Sequence, residues 1–192
     1  MRKIIAALFI VLFLAGFAWS VWTKEEQSKN GDTLIVRLAP RDPRAFLLGD
    51  YMAVNYALNR EVDNALLDRY PGGDDNALRP TRRGRDEAKK LPRDGVAIVR
   101  LDASKVAEFV RLDDGNPLRD GEHRLYFRVR KQGAQIAAQA FYFQEGYAKD
   151  YDDAKYGELR VDADGKSLLV HLLDAGLQRI QPKPKQVKET QP

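Results

Sequence analysis

Few side chains in this chain could perform chemistry, and their spacing does not bring together a catalytic set. The chain has no cysteine, which excludes thiolate nucleophiles and thiolate metal sites, and its two histidines, His123 and His171, lie in different predicted strands. A serine nucleophile needs a neighbouring base, but Ser104 and Lys105 are adjacent and would point to opposite faces of a strand. The sequence therefore predicts no catalytic residue, no metal site and no cofactor.

A short motif after the first predicted strand combines a turn with an alternating apolar pattern. Gly49 and Asp50 predict the turn, because glycine can adopt positive φ and aspartate can accept hydrogen bonds from nearby backbone amides. From Tyr51 onward the pattern alternates at period two, so Val54 and Tyr56 are predicted to face inward. We interpret the motif as the start of a strand with Asp50 in its turn; a role for Asp50 as a ligand or an acid is the alternative.

This motif resembles the signature of the GDYXXLXY family, with Val54 at the position of the family's leucine. Residues 141–146 and 156–165 are similar to the family's second block, an aromatic strand followed by a polar helix and a hairpin. The resemblance implies a membrane-anchored domain with partners among polytopic membrane proteins, and it brings no catalytic residue to this chain.

The N-terminal segment has the strongest hydropathy signal. Residues 4–22 are almost entirely apolar and contain no charge, and this length matches the ~20 residues with which a helix crosses a bilayer. Trp19 and Trp22 lie at its far end, where indole rings favour the membrane interface. A cleaved signal peptide is the competing interpretation, although the apolar region of such peptides is usually about 7 to 15 residues long. We predict an uncleaved single span with the domain on the extracytoplasmic, periplasmic side.

Composition divides the chain into parts of different character. With 192 residues, the chain is long enough for one membrane segment and one domain with its own core. The predicted parts are a transmembrane anchor (1–22), a polar linker (23–32), a GDYXXLXY-like β domain (33–181) that contains a charged loop (74–95), and a disordered basic tail (182–192).

Alternating apolar residues predict a mainly β domain. The predicted strands cover residues 34–38, 52–58, 96–101, 125–130, 136–143, 159–161 and 168–172, and the segment 104–112 fits a strand or a helix. Asn59 is predicted to cap one short helix, residues 150–155 to form another, and residues 162–165 to make a hairpin turn. The predicted fold class is an antiparallel small barrel or sandwich with one or two short helices behind a single N-terminal transmembrane helix.

The charge pattern argues against nucleic acid as a partner. The net charge is +4, but acids interrupt the arginine-rich loop at residues 79–93, and no aromatic residues alternate with its cations. A tyrosine-rich segment later in the chain fits a protein partner better, because tyrosine is enriched in binding hot spots; covering the core is the alternative role for these rings. The candidate partner surface consists of Tyr147, Asp150, Tyr151, Asp152, Asp153 and Tyr156.

These features predict a membrane-anchored extracytoplasmic module that is not an enzyme and that serves a membrane-protein partner. The alternative is a serine hydrolase similar to the type I signal peptidases, which are also membrane-anchored β domains. Residues 33–48, before the turn, contain no serine, so the sequence lacks the serine and lysine pair that this alternative requires.

Overall fold

Along the described parts of the chain, one long helix is followed by short strands and a second helix. The computed structural model describes residues 2–39, 51–70 and 91–182, and it describes the side chains of the first helix from Phe9 onward. Gly49 and Asp50, residues 74–90 of the predicted charged loop and the tail from residue 183 lie outside the described residues. The elements in chain order are α1 (Arg2–Asn30), β1 (Asp32–Arg37), β2 (Tyr51–Ala53), α2 (Ala57–Arg69), β3 (Asp94–Leu101), β4 (Ala107–Leu112), β5 (Glu122–Arg130), β6 (Gly133–Gln135), β7 (Ala140–Tyr142), a 3₁₀ helix (Ala148–Tyr151), β8 (Tyr156–Val161) and β9 (Ser167–Leu173).

Helix α1 continues through the segment that the sequence predicted as a polar linker. It ends at Asn30, and β1 begins at Asp32, so no extended segment separates them. Charged side chains near its C-terminal end pair within the helix, as in the hydrogen bond from Lys29 to Glu25 at 2.7 Å, and such pairs favour the continued helix. Among the described residues, no helix is both long enough and apolar enough to cross a membrane. The transmembrane anchor stays a prediction.

Within the described residues, the domain contains three antiparallel sheets. The smaller of the two main sheets has the order β1-β8-β9 and the larger has the order β4-β3-β5-β6, while β2 pairs with β7. A bridge between Ile35 and Val106 joins β1 to the residue before β4, so the two main sheets form one half-barrel. The predicted antiparallel, mainly β class is confirmed, in the form of a half-barrel with two helices.

The hairpin between β8 and β9 forms as its sequence predicts. Asp162 Oδ1 accepts hydrogen bonds from the backbone N–H groups of Asp164 and Lys166, at 3.1 and 2.8 Å. Gly165 has a φ of +82°, which glycine adopts without strain. These local bonds close the turn, and β8 and β9 pair beside it.

Three predicted elements differ from the structure in extent or type. Of the predicted strand at residues 136–143 only β7 forms, and it belongs to a different sheet from β6. The segment 104–112, which fitted a strand or a helix, forms β4. The helix predicted at residues 150–155 is a 3₁₀ helix that ends at Tyr151.

Side chains of α2 complete the hydrogen bonding at the outer edge of β6. Asn59 Oδ1 accepts the N–H of Ile136 at 3.3 Å, and Asp63 Oδ1 accepts the N–H of Ala134 at 2.7 Å. A strand edge without a neighbour would leave these amides unpaired, so α2 takes the place of the next strand. Asn59, predicted as a helix cap, lies inside α2, whose N-cap is Tyr56.

The core lies between the half-barrel and α2. Met52, Val54 and Tyr56 are buried and Tyr51 is exposed, which is the alternation that the sequence predicts for the motif. The strand itself ends at Ala53, because α2 begins directly after Tyr56. The largest fully buried side chains are Tyr56, Phe127, Leu34, Leu66, Ile98, Leu125, Leu159, Leu172 and Leu173.

Candidate functional site

Two of the signature positions of the motif, Val54 and Tyr56, belong to the core. Tyr56 is fully buried, and its hydroxyl donates a hydrogen bond to the backbone oxygen of Ala138 at 2.8 Å. Burial raises the pKa of Tyr56, which keeps the hydroxyl protonated as a donor. Val54 belongs to the same cluster of buried side chains. Neither side chain is accessible to a ligand.

Tyr51, the exposed residue of the motif, forms an aromatic pair with Tyr142. The two residues are partners in the register of β2 and β7, and their ring centroids lie 5.7 Å apart. Tyr142 is 75% exposed and Tyr51 is 38% exposed. Their sequence neighbours Met52 and Phe141 pack into the core, so the backbone that carries the two tyrosines is held in place. Exposed tyrosines on a fixed backbone offer apolar area with a polar tip, the combination found in binding hot spots.

The structure divides the predicted partner surface into buried rings and an acidic edge. Tyr151 is buried and stacks on Phe143, with ring centroids 5.1 Å apart, and Tyr147 packs against the same core. Tyr151 therefore covers the core, which was the alternative to a role in partner binding. Burial raises the pKa of its hydroxyl. The acids of this surface are the partly buried Asp150 and the exposed Asp152 and Asp153.

Tyr156, the last residue of the predicted surface, lines a cavity of about 530 Å³ between β1, α2 and the turn after β3. The guanidinium of Arg37 lies over its ring, 5.9 Å from the centroid. Three carboxylates, from Glu61, Asp102 and Glu108, also line the cavity. The volume falls in the range of small-ligand sites, and the excess of carboxylates favours a ligand with positive charge.

The buried Glu158 is the centre of an ionic cluster whose cations are partly exposed, and the sequence did not predict this cluster. Its carboxylate accepts two hydrogen bonds from the guanidinium of Arg179, at 2.8 and 2.9 Å. Arg160 Nη2 and His171 Nδ1 lie 3.5 and 3.6 Å from its oxygens. Burial lowers the pKa of His171, and Arg179 lowers it further against the opposing effect of Glu158. The sequence feature that could have predicted this cluster is a glutamate inside an otherwise apolar strand. The ion pair with Arg179 holds the C-terminal segment on the sheet.

Neither Ser104 nor Ser167 has its hydroxyl hydrogen-bonded to a basic side chain. Ser167 donates its hydroxyl hydrogen bond to the backbone oxygen of Ile136. Ser104 lies in the exposed turn after β3, where its N–H bonds to Asp102 Oδ1 at 2.7 Å. Within residues 2–39, 51–70 and 91–182, no group of histidine and acidic side chains could hold a metal ion. The described geometry offers binding surfaces and no serine with an activating partner.

Comparison with known protein families identifies a match over most of the chain. A family model described as GDYXXLXY protein matches residues 13–172, which is most of the chain. The matched range includes both Tyr51 and Tyr142. No curated protein and no solved structure matches the chain.

Proposed function

The chain belongs to the GDYXXLXY protein family, and from this premise we propose that it is a membrane-anchored extracytoplasmic module that binds a membrane-protein partner without catalysing a reaction. The main support is the exposed pair of Tyr51 and Tyr142. The motif contributes Tyr51 to this pair, so the family's signature reaches the surface at this point.

The tyrosine pair suits binding because it is both exposed and held in place. The backbone below it is fixed by the hydrogen bond from the Val54 N–H to the Gln139 oxygen, at 2.7 Å. Two rings that already touch each other lose little conformational freedom when a partner covers them. Truncating one residue of such a hot spot typically costs about 2 kcal/mol or more of binding free energy.

The acidic edge adds a preference for basic partners. Phe141, the sequence neighbour of Tyr142, contacts the ring of Tyr151 at a centroid distance of 5.4 Å. Asp152 and Asp153, which follow Tyr151 in the chain, are exposed, and we propose that they contact the same partner. Carboxylates at the rim of an interface speed the association of basic surfaces and disfavour acidic ones. We expect a partner with an apolar contact flanked by lysine or arginine.

The membrane part of the proposal is supported by the sequence and by the surface of α1. Residues 4–22 contain no charge, and the described side chains of residues 9–22 are exposed, including the large apolar Phe13 and Trp22. A helix that is apolar on all sides needs lipid or protein around it. Arg2 and Lys3 favour a cytoplasmic N-terminus, which corresponds to an extracytoplasmic half-barrel.

Site-specific photocrosslinking tests the proposal in the native membrane. The photoreactive residue p-benzoylphenylalanine replaces Tyr142 in the full-length chain. In a matched control it replaces Tyr70, which follows α2 and is 38% exposed, like Tyr51. We expect an adduct with a membrane protein from position 142 and none from position 70. Tyr51→Ala should then lower the yield of that adduct.

Two results would contradict the proposal. Equal adducts from both positions, or none from position 142, would show that the tyrosine pair is not the binding surface. Covalent labelling by a serine-directed probe, lost when Ser28, Ser104 or Ser167 is replaced by alanine, would instead favour the hydrolase.

A further inference from the structure

The C-terminal end of α1 is bonded to the β8–β9 hairpin through Gln27. This side chain is only 7% exposed, and its Nε2 donates hydrogen bonds to the backbone oxygens of Lys166 at 2.6 Å and Arg160 at 3.3 Å. Its Oε1 accepts a hydrogen bond from Lys24 Nζ at 2.8 Å. A buried amide that is satisfied at both ends resists reorientation, because any movement would leave polar atoms unpaired. Gln27 thus fixes the direction of the helix relative to the sheet.

Gly31 brings α1 and β1 into direct contact. A Cβ at Gly31 would lie 2.6 Å from the oxygen of Gln27 and 3.0 Å from the oxygen of Val161, both backbone atoms, so a larger residue would force the backbone apart. Arg160 crosses the same junction, and its Nη1 donates hydrogen bonds to the Gly31 oxygen at 3.2 Å and the Thr33 hydroxyl at 2.5 Å. The helix and the sheet therefore meet through close contacts, with no linker that could bend.

The register of the sheet brings one end of the half-barrel level with the last turn of α1. Asp32 pairs with Val161, so the turn at residues 162–165 extends back toward the helix instead of farther along β1. Gln27 lies about 7.5 Å beyond Trp22 along the helix axis. Trp22 ends the apolar run, at the point where indole rings favour the membrane interface. The hairpin turn is thus within about one headgroup layer of the expected interface.

We propose that α1 and the half-barrel form one rigid unit, which holds the β8–β9 turn against the phospholipid headgroups of the membrane that α1 enters. This inference rests on the membrane anchor of the proposed function. The turn is polar and carries both signs of charge, with Lys166 and Asp164 paired at 3.1 Å, so it can lie among charged headgroups without burying an unpaired charge. The other end of β9 lies about 20 Å away, so the rest of the half-barrel is held at a fixed height above the membrane.

Single cysteines can report the height of each end, because the chain has none of its own. Ala163→Cys in the β8–β9 turn and Ala175→Cys after β9 form a matched pair, since both alanines are exposed and lie at opposite ends of β9. Each full-length variant is spin-labelled and reconstituted in phosphatidylcholine vesicles that contain a nickel-chelating lipid. Nickel at the headgroups relaxes nearby labels. We expect a rise in half-saturation power for the label at position 163 and no rise at position 175.

A third variant tests the role of Gln27. Gln27→Glu preserves the shape of the side chain but replaces the donor nitrogen by an oxygen that faces two backbone oxygens. We expect this change to abolish the nickel effect at position 163. Asn64→Asp, the same chemical change on an exposed position of α2, should leave the effect intact. If Gln27→Glu fails to fold, the comparison of the two labels in the otherwise unchanged chain still decides the inference.

Flotation of the vesicles separates the two ways in which the inference can fail. If the chain does not float with the vesicles, the membrane anchor and this inference are both wrong. If it floats but the two labels respond to nickel alike, the rigid coupling is wrong and the anchor is right. A folded Gln27→Glu variant that keeps the full nickel effect would show that Gln27 does not hold the junction.

Discussion

Replacing Asp63 with asparagine should make the stability of the half-barrel less dependent on pH. The carboxylate of Asp63 bonds the N–H of Ala134 at 2.7 Å and closes the edge of β6. Burial raises the pKa of Asp63 from 3.8 to about 6, although the Ala134 N–H favours the charged form. Asparagine still offers an oxygen to Ala134 but has no charge to bury. Asp63→Asn therefore separates the hydrogen bond from the ionisation.

The sign of the effect follows from where protons bind. Between pH 3.8 and about 6 the folded state keeps the Asp63 proton that the unfolded state has lost, so stability falls as the pH rises through this window. A pKa difference of this size would correspond to about 3 kcal/mol in a fully shielded site. Asp63 is only partly buried, so solvent screening reduces the effect, and we expect about 1 to 1.5 kcal/mol.

Urea unfolding of the full-length chain measures this effect, followed by far-ultraviolet circular dichroism at pH values between about 4 and 8. The unchanged chain should lose about 1 kcal/mol more than Asp63→Asn across this range. Asp68→Asn is the matched control, because it makes the same chemical change at an exposed position of the same helix. If Asp63→Asn has the same pH dependence as the unchanged chain, or is the less stable of the two at neutral pH, the reasoning from burial is wrong.

Three further predictions concern the core and can be measured by the same unfolding assay. Tyr56→Phe should cost about 0.5 to 1.5 kcal/mol, because it removes the hydrogen bond to the oxygen of Ala138. Tyr56→Ala should cost about 3 to 5 kcal/mol, because it also removes the buried ring, and equal losses would show that the ring contributes nothing beyond its hydroxyl. Gly133→Ala should cost about 1 to 3 kcal/mol because Gly133 has a φ of +103°, and an unchanged midpoint would contradict this strain. Glu158→Gln should cost about 1 kcal/mol, because Arg179 loses its charged partner but is half exposed and can be hydrated, whereas a gain in stability would mean that burying the Glu158 charge outweighs the ion pairs.

Much of the fold could be predicted because the alternation of apolar and polar residues in a strand depends only on residues that are close in sequence. Met52, Val54 and Tyr56 are buried in the predicted phase, and Asp162 and Gly165 close the predicted hairpin. The alternation arises from the geometry of the extended backbone, which does not depend on distant residues. The same rule failed at residues 136–143, where apolar residues continue but the sheet does not.

That failure has a cause outside the segment itself. Asn59 and Asp63, which lie far earlier in the chain, pair with the amides at the edge of β6 and take the place of another strand. The prediction that Asn59 caps a helix was wrong for a related reason, because its side chain accepts a hydrogen bond from the N–H of Ile136, beside β6. No local pattern contains the information that a helix will pack along this edge.

The partner surface stays a prediction, but the structure shows which of the tyrosines are exposed. The abundance of tyrosine indicated a binding surface, yet Tyr151 is buried between core rings while Tyr142, in the same part of the chain, is 75% exposed. Both residues are tyrosines, so their type does not explain the difference in exposure. The register of β7 against β2 exposes Tyr142, and the packing of Phe143 covers Tyr151. Exposure of an aromatic ring depends on which distant segments cover it.

The sequence by itself determined that thiol chemistry is excluded, that the N-terminal run is apolar and uncharged, and which face of the motif turns inward, because composition and alternation are local properties. Only the tertiary structure decided that the ring of Tyr51 packs against that of Tyr142 and that Glu158 pairs with Arg179. It also decided that Gln27, in the predicted linker, lies in a helix and is hydrogen-bonded to the β8–β9 hairpin. The tyrosine pair and the Gln27 hydrogen bonds join residues that are far apart in the chain. Their free energy exists only after the intervening chain has been ordered, and no pattern within a single segment records it.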